Sequence, residues 1–156
     1  MNHLATSKED ILAASRDLIK ENGWAAVSIR AVASRCSVSA GTIYNYYESK
    51  ADLLSDTIES IWHEIFFHPE DEQVFHDVES CISWIYERLE YGNRQFPGFF
   101  SLHSFGFMRD EKTSGKKRMM KTWGHILNGL CEVLGNDPKV RADVFDQEFT
   151  EKKFAD

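Results

Sequence analysis

The apolar residues of this chain recur at helical intervals in almost every segment, and no stretch alternates apolar with polar residues as a half-buried strand would. That spacing restricts the fold to an all-α class. A first helix is expected after Ser7, with Asp10 completing an S-x-x-D capping box, Ile11, Ala14 and Leu18 on the inner face, and Gly23 as the residue that ends it. Ser28 caps a short second helix to about Arg35 that buries Ile29, Val32 and Ala33. A turn through Cys36 and Ser37 leads to Val38, and Ser39 caps a third helix, about Ala40 to Tyr46. Ser49 and Asp52 form another S-x-x-D box. It opens a long fourth helix with Leu54, Ile58, Ile61 and Ile65 on one face and Trp62 and Phe66 beside them.

All three prolines follow, and each separates two helical patterns. Pro69 begins an acidic break, after which a fifth helix runs from about Asp77 to Asn93 with Val78, Cys81, Ile82, Ile85 and Leu89 inward. Pro97-Gly98 separates it from an aromatic sixth helix, Phe99 to about Arg109. A seventh helix buries Met120, Trp123, Leu127, Leu130 and Leu134, and Gly135-Asn136 ends it. Pro138 starts an eighth amphipathic pattern through Val140, Val144, Phe145 and Phe149.

Charge and aromatic content divide the chain in two. The net charge is −7, from 18 basic and 25 acidic residues. Residues 1–50 hold six Lys/Arg and five Asp/Glu, whereas the remainder holds twelve and twenty. Only the first third therefore avoids repelling a phosphate backbone. All eleven Phe lie beyond residue 65. No apolar run reaches the ~18 residues of a membrane span and the N-terminus has no signal-peptide core, so a cytoplasmic protein with no membrane contact is expected. Cys36, Cys81 and Cys131 are odd in number and far apart, which indicates neither a disulfide framework nor a zinc ribbon. The corner His63, Glu64, His68, Glu70, Asp71, Glu72 and His76 is irregularly spaced and reads as solvated charge, so no metal and no cofactor is expected. Lys116, Lys117, Arg118 and Lys121 read as an exposed helix face. No nucleophile elbow, zinc-protease, Walker or dinucleotide motif occurs, and no enzymatic activity is expected.

The third helix is too short to be stable alone, so its neighbours must hold it for the sake of its outer face. That face offers Ser39, Ala40, Gly41, Thr42, Tyr44, Asn45 and Tyr46, which are small or hydrogen-bonding and uncharged. Small residues let backbone approach a duplex closely, and Thr, Asn and Ala side chains suit base edges and the thymine methyl. Arg30 and Lys50 flank the segment as candidate phosphate contacts, while Val38 and Ile43 are the inward anchors.

The stretch Ile11 to Leu54 resembles the N-terminal module of the TetR family of transcriptional regulators. The residues that carry the likeness are Ile11-Leu12-Ala13-Ala14, Gly23, Ser28-Ile29-Arg30-Ala31-Val32-Ala33, Val38-Ser39-Ala40-Gly41-Thr42-Ile43-Tyr44-Asn45-Tyr46-Tyr47 and Ser49-Lys50-Ala51-Asp52-Leu53-Leu54. The resemblance implies that the third helix reads the major groove and that Ser39, Thr42, Tyr44 and Lys50 touch phosphates or bases, with Arg30 nearby. Tyr47 takes the place of an aromatic that is usually core. The chain departs from the family at Ser37, where glycine is common; serine is costlier there if φ is positive. A single module neutralises few phosphates, so two copies on half-sites of a double-stranded operator, and hence a homodimer, are expected.

These features divide the chain into a helix-turn-helix DNA-binding lobe, residues 1–48, and a helical ligand-binding and dimerisation lobe, residues 49–156, the latter shortened at its C-terminal end relative to the family. The aromatic helices of the second lobe read as an apolar site with a few orienting polar groups, and the family places an inducer there. Its candidate lining is Trp62, Phe66, Cys81, Trp84, Ile85, Phe100, His103, Phe107, Met120, Trp123 and Leu127. The lining suggests something flat or hydrophobic, a hydrophobic or aromatic small molecule, and nothing in it suggests phosphate or sugar. The reading is a repressor released from its operator by such an inducer. The alternative is a truncated interaction module that dimerises with another regulator without binding DNA.

Overall fold

The computed structural model describes residues 6–67, 76–101 and 114–155, and all regular structure among them is helical. The helices described in full are α1 (Lys8–Asn22), α2 (Ile29–Arg35), α3 (Ala40–Tyr44), α4 (Lys50–Phe66), α5 (Val78–Gln95), α6 (Ser114–Asn136) and α7 (Glu151–Ala155), with a 3₁₀ turn at Trp24–Ala26 that the apolar spacing did not reveal. Residues 99–101 are helical too, and the rest of the aromatic helix expected to about Arg109 lies outside the described residues. Helix α1 packs on α2 and α4, α2 on α3, α4 on α5 and α6, and α6 on α7.

The helix starts follow local side-chain chemistry. The Ser7 hydroxyl accepts from Asp10 N at 3.1 Å while Ser7 N donates to the Asp10 carboxylate at 2.8 Å, a complete capping box. Those hydrogen bonds from Ser7 hold the Asp10 carboxyl below its ordinary value. Gly23 ends α1 at φ +77, with its N–H on the Ile19 carbonyl. At α4 the Ser49 hydroxyl accepts from Asp52 N, but the Asp52 carboxylate reaches Glu48 N.

One apolar core runs from the first three helices into α4 and α5. Ile11, Ile19, Val27, Val32, Ile43, Leu53, Ile61 and Ile65 are buried in it with Trp62, Phe66, Trp84, Phe96 and Phe99. The Pro97-Gly98 break, with Gly98 at φ +79, lets the chain turn so that both Phe96 and Phe99 are buried. Phe99 stacks on Trp24 at 5.9 Å, and Lys20 lies 4.9 Å above the Phe96 ring. A second cluster, Cys81, Leu130, Val133 and Leu134, joins α5 to α6 and is flanked by Phe145. Asp137, buried just beyond α6, accepts from Val78 N at 2.9 Å and so supplies a second cap to α5 beside Asp77, whose carboxylate accepts from Ser80 N.

Two expectations are corrected here. Ile82 is 47% exposed rather than inward, because the buried stripe of α5 follows Cys81, Trp84 and Gly92. The amphipathic pattern after Pro138 is not a continuous helix. Residues 138–150 form turns, and only Glu151–Ala155 is helical. Short polar side chains capture the backbone there: the Asp137 carboxylate accepts from Lys139 N, and Asp146 accepts from both Glu148 N and Phe149 N. Phe145, Phe149 and Phe154 then pack on one another at 5.8–6.4 Å.

Gly92 of α5 lies hard against Ile65 of α4. A Cβ there would stand 2.7 Å from Ile65 Cδ1 and 2.9 Å from Phe100 Cζ, and Ile65 is fully buried. Gly92→Ala should therefore destabilise the fold by about 1–3 kcal/mol despite alanine's higher helix propensity, measured as a lower urea midpoint at unchanged slope.

Candidate nucleic-acid interface

The segment from α2 to α3 is held by its own backbone. Cys36 N donates to the Val32 carbonyl, Ser37 N to Ser34 and Val38 N to Ala33, the paired bonds of a Schellman turn. Ser37 sits in that turn at φ +56, the one positive φ outside glycine among the described residues. The cost foreseen for serine at this position is therefore present. Ser37→Gly should stabilise the fold by about 1 kcal/mol and Ser37→Val should weaken it, both read by urea denaturation.

After the turn, Ser39 caps α3 by accepting from Thr42 N at 3.1 Å, and its hydroxyl lies 3.0 Å from that of Thr42. Regular helix ends at Tyr44, two residues earlier than the spacing predicted. Its anchors are Ile43, fully buried, and Tyr47, 2% exposed, with Val38 partly buried against the same core. Burial, the larger cause, and the neighbouring Asp56 carboxylate push the Tyr47 phenol well above its ordinary value, so it stays neutral.

The opposite side is open. Ser39, Gly41, Tyr44 and Asn45 are exposed, and Ala40 and Thr42 partly so; Tyr44 is 56% exposed. Tyr46 is also exposed, but its hydroxyl donates to the Thr6 carbonyl at 2.5 Å, so it ties the start of the chain to α3. Nothing in the sequence pattern marked that role.

The cations around this face fall into two groups. Lys8 pairs with Asp56 at 2.5 Å, Arg16 and Lys20 pair with Glu64 at 3.1 and 2.6 Å, and both Arg35 guanidinium amines bond Glu21, one at 2.6 Å. Those four are committed to packing α1 against α2 and α4. Arg30 and Lys50 are exposed, and neither has a carboxylate within ion-pair distance among the described residues. They lie at the two ends of the α2–α3 segment, one in the first turn of α2 and the other at the first residue of α4.

The residues expected to line a ligand site are divided. Trp62 contacts Phe66, Phe99, Phe100 and Trp123 at ring separations of 5.1–6.1 Å, and Phe66 meets Trp84 edge-on at 6.1 Å. Cys81 is buried apart from them in the cluster with Leu130, and Ile85 touches both clusters. Leu127 is partly buried and belongs to neither. His103, Phe107 and the Met120 side chain lie outside the described residues, as do His68 and Glu70 to Glu72 of the charged corner and the side chains of the basic run at Lys116 to Lys121. Glu64 of that corner is engaged by Arg16 and Lys20, and the described residues hold no group of three or more metal-ligating side chains.

A short exposed helix on a buried hydrophobic footing, reached by a tight turn and bracketed by unpaired cations, is the architecture of a helix-turn-helix lobe. Residues 11–57 match the model of the bacterial regulatory proteins of the tetR family, and this part of the chain is a TetR-type helix-turn-helix module. It is 38% identical over 48 residues to the HTH-type transcriptional regulator UidR of Escherichia coli K12, and 45% identical over 47 residues to the HTH-type transcriptional repressor KstR of Rhodococcus jostii RHA1. These matches span 31% and 30% of this chain but only 24% and 22% of those proteins. Over 90% of this chain and 76% of the other, the fold is similar to that of the transcriptional regulator FadR from Bacillus subtilis, solved in complex with stearoyl-CoA, with a TM-score of 0.52 and 18% identity. The all-α architecture is thus shared well beyond the module.

Proposed function

We propose that the protein is a ligand-responsive transcriptional regulator, a repressor that binds a palindromic double-stranded operator as a homodimer and is released by a hydrophobic or aromatic small molecule. The observation that carries this reading is the open face of α3 between Arg30 and Lys50, the two cations of the module left without an ion pair among the described residues. Ser39, Ala40, Gly41, Thr42, Tyr44 and Asn45 meet the major groove, and Arg30 and Lys50 grip phosphates on either side of it. Tyr46 contributes its exposed ring edge. Residues 1–48 form the DNA-binding lobe and residues 49–156 the ligand and dimer lobe. No described helix is long and apolar enough to cross a membrane, in keeping with work in the cytoplasm. The repressor named among the relatives favours repression over activation.

The inducer acts through α4. This helix runs unbroken from Lys50 beside the DNA face to Trp62 and Phe66 in the aromatic cluster. A ligand that parts those rings binds one disposition of α4 better than another, and only that difference in affinity can shift the recognition helices. The stearoyl-CoA held by the Bacillus subtilis FadR, a protein of the same fold, supports a ligand with a long apolar part.

Gel shifts against genomic fragments at low salt test the reading. Lys50→Ala should weaken binding to all fragments alike and lower the salt slope by about 1 per subunit, and Tyr44→Ala should cost about 1–3 kcal/mol of specific binding. Both residues are exposed, so far-UV circular dichroism should not change. Light scattering should report two chains per molecule. Unaltered binding by both variants, or a strict monomer that still binds its operator, would overturn the proposal.

A further inference from the structure

The inward stripe of α5 carries one charged residue among apolar ones. Arg88 follows Trp84 by one turn and precedes Gly92 by one turn, so all three lie on one face of the helix. Its neighbours on that face reach α4: Trp84 meets Phe66, and Gly92 lies against Ile65 and Phe100. The Arg88 Nε is buried and has no hydrogen-bond partner, and no carboxylate stands within ion-pair distance of the guanidinium among the described residues. Arg88 as a whole is only partly buried, but a buried donor without a partner weakens a fold, and the ring of Tyr91, 5.4 Å from the Arg88 Cζ, offsets only part of that cost. Glu64 is not its counter-ion. Its carboxylate takes Lys20 at 2.6 Å, Arg16 at 3.1 Å and the Tyr91 hydroxyl at 3.1 Å.

We infer that Arg88 is the anion receptor of the ligand-binding lobe: it takes the acidic group of an apolar ligand whose body lies against Trp84, Phe66 and Phe100. The inference rests on the ligand-responsive reading above and narrows it to anionic amphiphiles. It also gives the ligand a route to the DNA face. The guanidinium lies on the Tyr91 ring, the Tyr91 hydroxyl donates to Glu64, and Glu64 binds two cations of α1. An anion that draws Arg88 off Tyr91 alters the footing of α1 on α4. An arginine within an amphipathic pattern is easily passed over as a solvated position, and the sequence spacing alone did not mark it.

Two probes of one ring system test this on the full chain: 1-anilinonaphthalene-8-sulfonate, which is anionic, and N-phenyl-1-naphthylamine, its neutral counterpart. Binding is followed by probe emission and by energy transfer from tryptophan. The wild-type chain should bind the sulfonate at least about tenfold more tightly than the neutral probe, the usual range for a charge-assisted hydrogen bond. Arg88→Gln should abolish that preference while leaving the neutral probe within about twofold, and Arg88→Lys should keep part of it. Arg88→Leu should unfold at a higher temperature than wild type in the absence of probe, because a buried donor without a partner has been removed. A sulfonate preference that survives Arg88→Gln, or an Arg88→Leu variant that melts earlier, overturns this inference and leaves the regulator reading standing. Failure of the wild-type chain to bind either probe overturns both the ligand reading and the inference built on it.

Discussion

Everything the module does depends on the burial of Ile43 and Tyr47. A helix of five residues has too few internal hydrogen bonds to offset the entropy of forming it. It exists because one side chain from its centre and one from just beyond its end are taken into a core built by α1, α2 and α4. Burying a side chain of that size contributes about 1.5–3 kcal/mol, enough to hold a short stretch of backbone that would otherwise melt. The division of labour follows. Because the anchoring residues are few and inward, Gly41 and Tyr44 of α3 are left exposed and Ala40 and Thr42 partly so.

A second constraint ties this lobe to the rest of the chain. Glu64 receives cations from α1 and a hydroxyl from α5, so one carboxylate on α4 is shared by three helices. Around it the apolar contacts continue without a break: Trp24 on Phe99, Lys20 over Phe96, and Trp62 amid four other rings. Charged contacts depend steeply on geometry and aromatic packing tolerates several arrangements, which is the combination a two-state element needs.

Much of the fold was legible because its signals are local. The serines at positions 7, 28, 39 and 49 cap the helices their spacing predicted, and Gly23 ends α1 as expected. The positive φ at Ser37 meets the condition under which serine, standing where the resemblance implies glycine, is the costlier residue. What escaped the sequence depends on contacts between distant segments or on competition for the backbone. The pattern of Val140, Val144 and Phe149 is helical in spacing, yet Asp146 claims the Glu148 and Phe149 N–H groups that a helix would need. Tyr46 looked like a free hydroxyl on the recognition face, but its partner is forty residues away at Thr6. The commitment of four of the six module cations to ion pairs was likewise invisible in a charge count, since a tally treats paired and unpaired arginines alike.

On the DNA-binding reading proposed above, that commitment bears on the approach to a duplex. Lys8, Arg16 and Lys20 take their counter-charges, Asp56 and Glu64, from beyond residue 50, so part of the net of −8 counted there is already offset by cations of the module, and charge is divided unevenly along the chain. Under that reading, a polyanion repels the acidic part of the chain and favours approach of the helix-turn-helix face. Most collisions in the wrong orientation are thereby discarded at a distance of about one Debye length, roughly 8 Å at physiological salt.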